Sequence, residues 1–181
     1  MAPKHITLHR DNYQTHGDIT VPEGKANLEI LQTADIVFFN GGDQSRHVRT
    51  WMQDNGNESV LLGVIRQRAK DNHLVLAGTS AGSMMWGQMT FGGGTSFGLL
   101  YFANSVGLAP KNVADGALNG SGLQDTRNGT KSLQYEYNAG KMVGFGMINF
   151  AVDTHFHARG RLGRLVPMLV NLQVSLGIGI D

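Results

Sequence analysis

The chain has 181 residues, enough for one domain with a substantial core. Hydrophobic residues make up 41% and charged residues 16%, with a net charge of +1. That balance is globular and leaves no bulk electrostatic basis for binding nucleic acid or a membrane surface. Cysteine is absent, which excludes disulfides and thiolate metal sites and fits a reducing compartment. No apolar run reaches the roughly 20 residues of a membrane helix, and the opening Met1-Ala2-Pro3-Lys4-His5 does not read as a signal peptide. Sequons at Asn57, Asn119 and Asn128 point weakly the other way, to a secretory origin. Localisation therefore stays open between a bacterial cytoplasm and secretion.

Taken in order, residues 5–9 alternate and predict a strand, and residues 11–24 predict a loop. Residues 25–32 predict a short amphipathic helix with Leu28 and Leu31 inward. Ile36-Val37-Phe38-Phe39 is a continuous apolar run stopped by Asn40-Gly41-Gly42, the pattern of a parallel strand buried on both faces. Helices are predicted over 45–53 and 60–70, the second with Leu61, Leu62 and Ile65 on one stripe. Leu74-Val75-Leu76-Ala77 predicts the next strand, followed by a helix over 83–89. Residues 91–104 and 116–140 are glycine-rich and polar and predict irregular excursions. A strand over 147–152, a helix over 161–175 and a closing strand over 177–180 complete the chain. Strand and helix alternate at the rhythm of βαβ units, so the expected fold is a single α/β domain over 1–181 with a mostly parallel sheet sandwiched by helices.

Ligands of such a sheet sit at the carboxyl ends of its strands. Three ends carry chemistry: Gly41-Gly42-Asp43-Gln44, Gly78-Thr79-Ser80-Ala81-Gly82, and Asp153-Thr154-His155-Phe156. The middle one has the order strand, glycine-flanked serine, helix, which is what a nucleophile elbow needs. The bland alternative is a tight turn whose serine only caps a helix. A serine nucleophile needs a base, and His155 lies just past a downstream strand end. Arg159, Arg161 and Arg164 follow it at a helix start, where the helix dipole disfavours cations. Their placement suggests carboxylate recognition, against the alternative of a solvated basic face. No acidic cluster accompanies the histidines, so no metal site is expected.

Together these residues resemble the cyanophycinase and dipeptidase E group of serine peptidases, peptidase family S51. The resemblance rests on residues 38–44, on 78–82, on 153–165 and on the closing Gly177-Ile178-Gly179-Ile180-Asp181. The third stretch looks cyanophycinase-like. The resemblance implies a flavodoxin-like or class-I-amidotransferase-like sandwich and serine hydrolysis without a cofactor. Ser80 would be the nucleophile and His155 the general base. Gln44, Asp153, Arg159, Arg161 and Arg164 would shape the substrate pocket, and the backbone at Gly42 and Ala81 would face developing negative charge. The implied substrate is an aspartate backbone carrying arginine, cleaved to β-Asp-Arg dipeptides.

Three departures accompany the resemblance. Thr154 stands where the family has glutamine. The stretch expected to hold the triad acid reads Thr95-Ser96-Phe97-Gly98, leaving Asp115, Asp125 or Glu136 as substitutes. Family members also carry a strand and helix before the segment near His5 and strands after Asp181. The fold is thus expected to be incomplete relative to the family, with a homo-oligomer or companion chain completing the sheet and covering an apolar edge. Two alternatives follow. One is a catalytically inactive descendant used for binding, structure or pigment carriage. The other is an α/β-hydrolase, for which Asp153 and His155 lie too close on one strand to form an orienting pair.

Overall fold

The computed structural model describes residues 3–9, 12–42, 47, 50–51, 58–87, 145–172 and 177–181. Among them, a π-helical turn, Tyr13–Gly17, leads into α1, Pro22–Thr33. Strand β1, Ile36–Phe39, is followed by α2, Val60–Lys70, and β2, Val75–Gly78. A four-residue helix α3, Ala81–Met84, leaves the end of β2. Then come β3, Ala151–Thr154, α4, Leu162–Leu172, and β4, Gly177–Ile180. Both strand pairs are parallel, β1 with β2 and β3 with β4. The α/β architecture with parallel strands flanked by helices is the one expected from sequence.

The two pairs are built differently. Around β1 and β2 the core is apolar: Leu31 of α1 and Leu61, Leu62 and Ile65 of α2 are buried beside Phe39, Trp51, Met85 and Trp86. Full burial of a Leu or Ile side chain stabilises by about 1.5–3 kcal/mol. Phe39 is the hub of an aromatic cluster, with Trp51 at 5.1 Å and Trp86 at 4.7 Å between ring centroids. Helix α2 starts where Ser59, buried, accepts from the Leu62 amide at 3.2 Å, a side-chain N-cap. The opposite face of β1 is open: Ile36 and Phe38 are 62% and 61% exposed. Beside it lies a cavity of about 610 Å³, walled by Lys4, Ile6 and Leu8 on one side and Ile36 and Phe38 on the other.

Some elements differ from expectation for local reasons. Residues 5–9 form no ladder. The His9 amide and the Thr7 carbonyl are instead bonded to the side chain of Asn12, each at 2.8 Å, which closes the segment on itself. Helix α1 begins three residues earlier than expected because Pro22 at its first position needs no amide acceptor there. Residues 147–150 are bends rather than strand, since the Met147 and Ile148 amides both go to the Trp86 carbonyl. In the helix expected over 45–53, His47, Thr50 and Trp51 are helical. The rest of that helix and the excursions over 91–104 and 116–140 lie outside the described residues.

Candidate active site

Sterics build the serine turn. A Cβ on Gly78 would lie 2.6 Å from the Gly82 carbonyl group, and a Cβ on Gly82 would lie 2.1 Å from the Phe39 carbonyl oxygen. Only hydrogen side chains allow β2, α3 and the end of β1 to meet this closely. The chain between them is forced into a sharp reversal, and Ser80 adopts φ 50°, ψ −122°. For a residue with a Cβ that conformation costs on the order of 1–3 kcal/mol. The Gly82 amide to the Thr79 carbonyl, at 2.9 Å, and the Ser83 amide to the Ser80 carbonyl, at 3.0 Å, hold it. Buried Met84 and Met85 anchor the short helix behind it.

Opposite stands His155, directly after the fully buried strand β3 and also at positive φ, 51°. Its Nε2 lies 2.8 Å from the Ser80 Oγ, across 75 residues of sequence. With the ring protonated at Nδ1, Nε2 can accept the serine proton. Among the described residues no carboxylate is bonded to the far side of the ring. Asp115, Asp125 and Glu136, and the stretch 95–98, all lie outside them.

The basic run past His155 divides in two. Arg159 is exposed. Arg161 and Arg164 turn inward onto Asp153, which is 0% exposed. Arg164 Nε donates to Asp153 Oδ2 at 2.6 Å and its Nη2 donates to Oδ1, a bidentate pair. Arg161 Nη1 donates to Asp153 Oδ1 at 3.0 Å and to the Thr154 carbonyl at 2.6 Å. Burial, and secondly the Arg164 charge, lower the Arg161 pKa from its ordinary value. Thr154 is also buried; its hydroxyl donates to Met84 Sδ at 3.4 Å, facing α3.

The end of β1 borders the serine: a Cβ on Gly41 would lie 3.4 Å from Ser80 Cβ. Gly42, at φ 147°, is exposed. Ala81 opens α3, where the first amides have no intrahelical acceptor. Asp43 and Gln44 lie outside the described residues. The described residues contain no group of three His, Asp or Glu able to hold a metal ion. One contributor escaped sequence reasoning. Asp181 Oδ1 accepts from the amides of His157 at 2.9 Å and Ala158 at 3.4 Å, tying the end of β4 to the turn after His155. Its only signal was its place at the end of the closing strand.

A parallel α/β scaffold with a serine on a strained strand-to-helix turn and a histidine at bonding distance fits a hydrolase. Residues 14–113 match the model of peptidase family S51, and the chain belongs to that family. Among curated proteins it is similar to the cyanophycinase of Trichormus variabilis, 32% identical over 83% of this chain and 38% of that protein. It is 33% identical to the cyanophycinase of a Nostoc species, over 87% of this chain and 39% of that protein. The cyanophycinase of Geminocystis herdmanii is 31% identical over 88% and 44%. The chain thus spans about two fifths of the length of these relatives.

Proposed function

We propose that the protein is a serine-type peptidase in which Ser80 is the nucleophile and His155 the general base. The observation that carries this reading is the 2.8 Å approach of His155 Nε2 to Ser80 Oγ, with both residues held at positive φ. His155 takes the hydroxyl proton as Oγ attacks the substrate carbonyl. The developing oxyanion lies toward the amides of Ala81 and Gly42. His155 then returns the proton to the leaving amine, and water repeats the cycle to release the acyl group.

The similarity to cyanophycinases supports a peptide substrate of the same chemistry, an aspartate backbone bearing arginine, released as β-Asp-Arg dipeptides. Arg159 is the arginine of the run best placed to meet a substrate carboxylate, since Arg161 and Arg164 already face Asp153. Incubation with a β-Asp-Arg polymer, comparing the intact chain with Ser80→Ala, tests the reading. Dipeptide release by the intact chain and none by Ser80→Ala is expected. Equal release from both, or none from either, would sink it.

A further inference from the structure

We propose that Asp181 is a positioning residue for His155, acting through the backbone of the turn at 156–160 and not through the imidazole. The proposal rests on the reading of Ser80 and His155 as nucleophile and base.

Contacts from three residues, Gly179 and Ile180 of β4 and Asp181 just after it, converge on that turn. Asp181 Oδ1 accepts from the His157 and Ala158 amides. The Phe156 amide donates to the Ile180 carbonyl at 3.1 Å. A Cβ on Gly179 would lie 2.3 Å from the Phe156 ring, so the ring sits directly on the glycine. On the other side, the Thr154 carbonyl is held by Arg161, itself bonded to Asp153. The peptide groups before and after His155 are therefore both fixed: on the later side the turn's own bonds, such as the Arg159 amide to the His155 carbonyl at 3.0 Å, are joined by those from the end of β4. His155 holds a positive φ, which persists only when the surroundings over-determine it.

The carboxylate behaves as a cap. It satisfies two amides that open a turn, as an Asp at a helix start does, but it arrives from a distant strand. A cap needs an acceptor oxygen and no charge. An acid that orients an imidazole needs the charge, so the two roles respond differently to Asn.

The test uses Asp181→Ala and Asp181→Asn in the full chain and follows the rate at which a small serine-directed phosphonate labels Ser80, together with kcat and KM on the β-Asp-Arg polymer. Asp181 is exposed, so both variants are expected to keep the wild-type circular dichroism. A misplaced general base slows reaction by about 10- to 100-fold, and Asp181→Ala is expected to lose that much in labelling rate and in kcat, with KM kept. Asp181→Asn, which retains Oδ1, is expected to label as wild type does. Gly179→Ala, which drives a methyl into the Phe156 ring, reaches the same turn independently and is expected to slow labelling too. Wild-type labelling by Asp181→Ala overturns the proposal. So does an Asp181→Asn as slow as Asp181→Ala, which would mark a charge role. A wild-type chain that takes no label defeats the nucleophile reading itself, a different failure.

Discussion

Ser80 and His155 stand 2.8 Å apart, yet the two regions that carry them are stabilised by different physics. The serine region is fixed by volume. An aromatic hub at Phe39, the buried face of α2 and two glycines without room for a methyl leave the elbow one conformation. The histidine region is fixed by polar bonds. A buried carboxylate between two guanidinium groups clamps the residue before His155, and a strand-end carboxylate caps the turn after it. Packing is insensitive to charge, whereas a buried ion cluster fails as soon as one partner is removed. His155 should therefore be held in the more fragile region of the two.

The largest effect is expected from Asp153→Asn. It removes the charge of the buried carboxylate that Arg161 and Arg164 share, at a cost of about 3–5 kcal/mol. Urea unfolding should show that loss, and the surviving folded molecules should label slowly at Ser80. Unchanged stability would mean the cluster is not holding β3. Ile65→Ala, in the fully buried face of α2, should cost about 2–5 kcal/mol. Here the labelling rate per folded molecule should stay at the wild-type value, because the elbow and the turn are untouched. A parallel loss of rate would erase the contrast between the two regions. Gly82→Ala should cost about 1–3 kcal/mol through overpacking against the Phe39 carbonyl, and should impair labelling through Ser80 itself. Ser59→Ala removes the cap of α2 and should cost about 1 kcal/mol, with labelling intact.

The smallest expected effect is electrostatic and exposed. The Thr20 amide, and secondly its hydroxyl, hold the Asp18 carboxyl below its ordinary pKa. A depressed folded-state value means a contribution present above the unfolded pKa and lost as pH falls through the folded one. Carboxyl NMR should find Asp18 titrating below free aspartate, and a midpoint at or above that value would contradict the assignment.

Much of the serine region could be read directly from sequence. The strand at 36–39, the stripe of Leu61, Leu62 and Ile65, and the glycine spacing around Ser80 are local patterns with local causes, but the expected burial of that strand on both faces is wrong, since Ile36 and Phe38 are exposed. His155 was legible by its place at a strand end. Its supports were not. Sequence places Asp153, Arg161 and Arg164 at a substrate pocket but does not show their bonds to one another, since charge in sequence does not reveal which way a side chain faces. Their mutual bonds depend on the buried path of β3 against α4. Asp181 was invisible as a cap because its partners lie 24 and 23 residues away. Residues 5–9 misled for a related reason: alternation predicts a strand only when a neighbour is there to pair with it, and Asn12 took those bonds instead.

The central claim is that His155 activates Ser80. Intact-mass spectrometry after exposure to a serine-directed phosphonate, run on the wild-type chain and on His155→Ala, tests it most directly. The account predicts one adduct per wild-type chain, located on Ser80, and none on His155→Ala over the same time. An unlabelled wild type, or equal labelling of both, would contradict it.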